Sequence, residues 1–171
     1  NIARKLANSA LSEFAIFYDK NWLSGMRHKI GLFTEEDTDL QLIHSLLCIM
    51  KRHKCDFTNT FRMLQFNIIE DIEKTKDDEC KNWLSLWDDR KLRQSQTREE
   101  VIKLMNSVNP AVIPRNHIIE EIIQSAYNQN DNKIYIENFM LAMDDPFVSP
   151  LNIKYTIPEQ SGKKYVSSCG T

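Results

Sequence analysis

Asn109-Pro110-Ala111-Val112-Ile113-Pro114-Arg115-Asn116-His117 divides this chain into two differently punctuated parts. Two prolines in five residues hold the backbone extended, since each fixes its own φ and disfavours helix in the residue before it. Directly behind them Ile118, Ile119, Ile122, Ile123 and Ala126 recur at helical spacing, which predicts an amphipathic helix opening at Arg115-Asn116-His117. All five prolines lie beyond Asn109. The first hundred residues therefore carry few breakers and read as helix after helix.

In that first part Leu6, Ala10, Phe14 and Phe17 form an apolar stripe. Trp22, Met26, Ile30 and Leu32 predict a second, short helix stopped near Gly31. A third stripe runs through Leu40, Ile43, Leu46, Leu47 and Met50, with Asp37 or Thr38 placed to cap it. Asp56-Phe57-Thr58 restarts the chain before Phe57, Phe61 and Leu64, and Glu70 to Glu79 reads as a solvated connector. Trp83, Leu84 and Trp87 then predict a helix with two large anchors one turn apart. Thr97-Arg98-Glu99-Glu100 sets acidic groups in the first turn of the next helix, where the macrodipole favours them. Beyond the double proline, Asn128 to Asn132 is a polar break and Ile136, Phe139, Met140 and Met143 mark a last helix. Pro146, Pro150 and Pro158 deny a helix from Asp144 onward, so the tail is expected to be extended and on a surface. The reading is all-α with an irregular tail.

Of 171 residues, 42% are apolar and 27% charged, which argues against disorder throughout. A net charge of -2 offers no electrostatic footprint for nucleic acid or anionic membrane, and no nucleic-acid or membrane partner is expected. The longest apolar run, Leu46-Leu47-Cys48-Ile49-Met50, is far too short to span a bilayer. Four cysteines (Cys48, Cys55, Cys80, Cys169) form no disulfide framework at this length, so a reducing compartment is expected. The chain opens at Asn1, inside a helical pattern, and reads as a fragment.

The sharpest metal candidate is His44, Cys48, His53 and Cys55, since zinc takes such donors tetrahedrally. No Cys-x-x-Cys accompanies them, and Leu40, Ile43 and Leu47 crowd the same side, so plain packing is the better reading. Four scattered glycines build no phosphate cradle, and no spacing selects a Cys–His nucleophile pair. The acidic runs Glu35-Glu36-Asp37 with Asp39, Asp77-Asp78-Glu79 and Asp144-Asp145 read as charged helix ends and connectors. Trp83 and Trp87 read as core anchors. Arg115 and Asn116 either pin the extended lead-in by bonds to backbone carbonyls or meet an anion at the helix N-terminus, and the first is favoured.

Asn109-Pro110-x-x-Ile113-Pro114-Arg115-Asn116-His117 followed by Glu120 resembles a late motif of the selenoprotein O family, called YdiU in bacteria. Asn1-Ile2-Ala3-Arg4-x-Leu6-Ala7, Gly25-Met26-Arg27-x-Lys29-x-Gly31-Leu32 and Asp56-x-Thr58-x-x-Phe61-Arg62-x-Leu64 fall in the right order ahead of it. The ending Cys169-Gly170-Thr171 places cysteine where some members carry selenocysteine.

The resemblance implies the helical C-terminal region of a kinase-like protein that moves AMP from ATP to hydroxyl groups of other proteins. It implies ATP with Mg (or Mn) for the parent enzyme, with the catalytic, nucleotide-binding and metal-binding residues upstream of this chain. Residues 1–143 are then a helical region packing on the protein's own N-terminal kinase-like domain, and 144–171 an extended tail. Cys169 resembles the tail position associated with redox control. Pro110, Pro114, Arg115, Asn116 and His117 are carried as a structural motif. No catalytic, cofactor or metal residue is assigned within the chain, which alone is expected to be inactive. Its compartment is expected to be cytoplasmic in a bacterium and mitochondrial in a eukaryote. A stand-alone helical interaction module is the alternative.

Overall fold

The computed structural model describes residues 2–67, 78–127 and 133–159. Among these the chain forms α1 (Ile2–Lys29), α2 (Asp39–His53), α3 (Phe57–Met63), α4 (Asp78–Lys91), α5 (Arg98–Val108), α6 (Asn116–Tyr127) and α7 (Lys133–Asp144). Short 3-10 turns follow α3 at Leu64–Phe66 and lie in the tail at Ile153–Thr156, and the described residues hold no strand. The expected all-α class is what the structure has. The chain divides into two compact units, Asn1–Val108 and Asn109–Thr171.

In the first unit, the two helices expected before Gly31 are one. Nothing between Ile2 and Lys29 breaks a helix except Gly25, and a lone glycine costs only about 1 kcal/mol against alanine, which flanking turns absorb. The stop is where it was expected. Gly31 adopts a left-handed φ of 75°, its N–H donates to the carbonyl of His28 (3.0 Å), and that of Leu32 donates to Arg27 (2.9 Å). A side chain there would also stand 2.5 Å from Val101 Cγ1, so this turn requires glycine.

α2 buries Leu42, Ile43, Leu46, Ile49 and Met50, while Leu40 is exposed. Neither Asp37 nor Thr38 caps it. Thr38 occupies the cap position in helical φ/ψ without a side-chain bond, and the Asp39 carboxylate accepts the Glu36 N–H instead. α3 is capped by Asp56, which accepts the Asn59 N–H at 2.9 Å. At α5, Thr97 and Glu100 cap each other: Glu100 accepts the Thr97 N–H (2.8 Å) and Thr97 Oγ1 accepts the Glu100 N–H (3.3 Å).

α2 packs on α4 and α1 on α5. The core these helices share holds Ile30, Ile43, Leu46, Phe61, Leu64, Met105 and the two tryptophans of α4. Trp83 and Trp87 are buried and stacked at 5.5 Å. Their indole N–H groups donate to the carbonyls of Leu42 and Ile30, both at 2.8 Å. Each tryptophan thus joins α4 to another segment by packing and by a satisfied polar bond. Of the expected connector, residues 70–77 lie outside the described part, and Asp78 and Glu79 open α4.

The second unit has its own small core of Ala111, Val112, Ile118, Phe139 and Tyr155, with Ile119, Ile122, Tyr135, Ala142 and Met143 packed on it. Ile123 and Met140 are exposed, and the side chain of Ala126 is outside the described part. So is the expected polar break at 128–132. Among the described residues past Asp144 no α-helix forms, as the prolines require, but this part of the tail is not wholly extended or superficial. Asn152 accepts the Lys154 N–H and starts a 3-10 turn between Pro150 and Pro158, which buries the Tyr155 ring edge-on against Phe139 at 5.3 Å. Four residues separate from either proline are enough for one such turn.

Candidate functional site

The most concentrated chemistry in the described residues is a buried ion network built from three separate segments of the first unit. Arg27 comes from the last turns of α1, Asp39 from the first turn of α2 and Arg90 from the end of α4. Asp39 is 0% and Arg90 1% exposed. The Asp39 carboxylate accepts from Arg90 Nε through Oδ1 (2.7 Å) and from Arg27 Nε through Oδ2 (2.7 Å). Oδ2 also accepts the Glu36 N–H (2.8 Å) and Arg90 Nη2 (3.3 Å). Arg90 Nη2 further donates to the carbonyl of Thr34 (2.8 Å) and to its hydroxyl (3.2 Å).

Around this centre the charges continue outward. Arg90 Nη1 lies 3.2 Å from Glu36 Oε1 as an ion pair lacking hydrogen-bond alignment. Glu36 in turn accepts from Arg93 Nε (3.1 Å) and Nη2 (2.9 Å), and Arg27 Nη1 pairs with Glu35 at 3.1 Å. Burial alone would push the Asp39 carboxyl up. The bonds from Arg90, the Glu36 N–H and Arg27 outweigh it and hold the group below its ordinary value. The Arg93 bond lowers Glu36 likewise. Both Asp39 oxygens are committed to donors, so the group has no proton to give and no lone pair aimed at a ligand. It ties the 31–39 loop to α1 and α4, and its role is architectural.

Sequence reading took these acidic residues for charged helix ends and connectors; Asp39 does open α2, but unlike Glu35 and Asp37 it is buried, which that reading did not expect. The missed signal was a charge prolonging an apolar stripe: Cys80, Trp83, Trp87 and Arg90 share one face of α4, and all four are buried.

In the second unit the double-proline motif forms a corner. The N–H groups of Ala111 and Val112 both donate to the Pro146 carbonyl (2.7 and 3.1 Å), pinning the lead-in to the segment that follows α7. Pro114 stands ahead of the helix and not in its first turn. Arg115 is the residue at the cap: its N–H donates to Ile113, and its carbonyl accepts from Ile118 and Ile119, each at 3.0 Å. Asn116 is exposed, and His117 is partly buried with Nδ1 4.0 Å from Glu159. On α6, Glu121 accepts from Tyr135 Oη (3.0 Å) and from Lys154, and chiefly the Lys154 bond lowers its carboxyl. Pro110 and Pro114 lie in this lead-in, Arg115 stands directly before α6, and Asn116 and His117 are its first two residues. Cys169 lies outside the described residues.

His44 sits with its ring 5.7 Å from Trp22, and Cys48 is exposed on α2. Among the described residues no three His, Cys, Asp or Glu side chains converge as a metal site. Gly31 is pressed against Val101 and Gly25 lies within α1, so neither opens a backbone cradle for phosphates. No described helix is long and apolar enough to cross a membrane.

Comparison with known proteins agrees with the order of motifs. The sequence profile of the family described as protein adenylyltransferase SelO matches residues 2–143. The chain is 41% identical over 172 residues to the protein nucleotidyltransferase YdiU of Clostridium botulinum strain Eklund 17B, covering 99% of this chain and 35% of that protein. It is 42% identical over 173 residues to the YdiU of the Okra strain, again covering 35% of the relative. The YdiU of Bacillus cytotoxicus is 38% identical over 171 residues. The chain therefore spans about a third of the length of these bacterial relatives. A profile match across most of the chain, and relatives this similar from end to end, mean that the chain belongs to the SelO family of protein adenylyltransferases.

Proposed function

We propose that this chain is the helical C-terminal region of an enzyme that transfers AMP from ATP to hydroxyl groups of protein substrates. The residues that bind ATP and a divalent metal then lie upstream, in a kinase-like domain. The observation that carries this reading is that a family match along the whole chain accounts for only 35% of each relative's length. The polar chemistry of the first unit supports it, being spent on holding helices together. The region's job is to pack on the catalytic part and stabilise it. For a bacterial member the reading places the protein in the cytoplasm.

Calorimetry tests it. The 171-residue chain titrated with ATP and Mg is expected to give no binding heat and no AMP transfer to protein, while the whole protein gives both. Tight ATP–Mg binding by the chain alone would refute an upstream site. We also infer redox control through Cys169, supported by the resemblance of the Cys169-Gly170-Thr171 ending to the family's tail. Cys169→Ser in the whole enzyme should abolish any difference in activity between reduced and oxidised samples. An unchanged difference would leave Cys169 a bystander.

A further inference from the structure

We propose that the cleft between the end of α4 and the start of α5 binds a small amphipathic carboxylate, with an apolar or aromatic body, one carboxylate and a nearby N–H donor. The site lies wholly within the first unit and does not depend on the assignment of AMP transfer. α4 packs on α2 and α5 on α1. Where both helices meet the 3-10 turn after α3 they leave a cavity of about 390 Å³, the size of a small-molecule site.

The floor of the cleft is apolar. Leu64, Trp87, Val101 and Met105, all residues of the core, form it. Ile102 is half-buried on its wall, and Leu92 stands 83% exposed at its rim. A ligand with an apolar body removes such surface from water, which drives it into the cleft.

Two polar groups select what that body carries. The side-chain carbonyl of Gln96, in the turn between the helices, is buried and accepts no hydrogen bond among the described residues. A buried acceptor calls for a donor, and a ligand N–H supplies one. Arg98, the first residue of α5, also lines the cleft and has neither ion pair nor hydrogen bond among the described residues.

The other charges in the lining cancel. Lys91 Nζ pairs with Asp88 at 2.8 Å, bonds to Asn67 at 3.4 Å and lies over the Trp87 ring. Glu100, next to the cleft on α5, is turned back on Thr97. One unspent guanidinium therefore remains, at the positive end of the α5 dipole. A guanidinium takes a carboxylate through two parallel N–H bonds. With no second free cation in the lining, the site suits a single carboxylate and not the several charges of a polyphosphate.

The probe is N-acetylphenylalanine, which combines a phenyl body, an amide N–H and a carboxylate, titrated into the whole protein by calorimetry. Saturable one-site binding with a dissociation constant at or below about 1 mM is expected. N-acetylphenylalaninamide lacks the charge and should bind about 10-fold more weakly. O-acetylphenyllactate has an ester oxygen in place of the N–H and should lose about as much. Arg98 is exposed, so Arg98→Ala leaves the fold intact; it should bind the acid about 10-fold more weakly and should no longer distinguish acid from amide. Lys103→Ala, on α5 but outside the cleft, should leave every affinity unchanged. No saturable heat up to about 10 mM overturns the proposal. So does equal affinity for acid and amide in the unsubstituted protein. Binding of the acid that Arg98→Ala leaves unchanged overturns it too, by placing the ligand elsewhere.

Discussion

Replacing Asp39 by Ala is expected to lower the unfolding free energy of the first unit by about 3–5 kcal/mol, the usual loss when one partner is taken from a buried ion network. The carboxylate is fully buried and accepts from both Arg27 Nε and Arg90 Nε. Without it two guanidinium groups are left close together in a dry site, and the Glu36 N–H loses its acceptor. Urea unfolding followed by tryptophan fluorescence measures the loss. A change below about 1 kcal/mol would mean that the cost of burying the charges cancels what their pairing contributes. Replacing all three by apolar residues (Arg27→Met, Asp39→Leu, Arg90→Met) should recover much of the stability, because the desolvation cost then disappears with the pairing.

The pH dependence of this network has a definite sign. The Asp39 carboxyl titrates lower in the folded chain than in the unfolded one. Its contribution is therefore complete above the ordinary aspartate value of about 3.9 and is lost as the pH falls through the lower folded value. In the Asp39→Ala variant the stability curve should be flatter on the acid side. Glu36, also lowered, adds to the same acid loss in both proteins.

Trp87→Ala is the second large effect, again about 3–5 kcal/mol, from lost burial and from the cavity left behind. The ring is buried, stacked on Trp83, and covered by Lys91 with its Nζ 3.4 Å from the ring centroid. Trp87→Phe separates packing from polarity. It keeps most of the apolar contact but leaves the Ile30 carbonyl without the indole donor, a loss of about 1–3 kcal/mol. If Phe were as costly as Ala, the indole's hydrogen bond and shape, which both variants lose, would outweigh the apolar burial that Phe keeps.

The helices were legible wherever an apolar stripe met a clear boundary. Gly31 ends α1, Asp56 caps α3, and Thr97 with Glu100 opens α5, each by local bonds that residue type alone makes favourable. Where boundaries depended on the absence of a signal, the reading failed. A change of apolar face near Trp22 looked like a new helix, but it lies within a single helix, and only the second face packs into the core. The tail's prolines correctly excluded an α-helix, yet they could not disclose that Tyr155 folds back onto Phe139.

The buried network shows the same limit more sharply. Glu35, Glu36, Asp37 and Asp39 look alike in sequence. Only the positions of Arg27 and Arg90, 12 residues before Asp39 and 51 after it, single out Asp39 for burial. Charge pairing across such separations is set by how helices pack, and no local pattern encodes it.

By itself the sequence determined the helical class, the helix ends that local bonding enforces, the corner at Pro110 and Pro114, and the family to which the chain belongs. These follow from short-range sterics, periodicity and ordered motifs, all of which are written in neighbouring residues. Tertiary structure alone decided that Asp39 is an internal counter-ion, that Trp83 and Trp87 bond to the carbonyls of Leu42 and Ile30, and that the stripe of α1 faces outward. Burial depends on which distant segments arrive at a surface, and that is a property of the packed molecule.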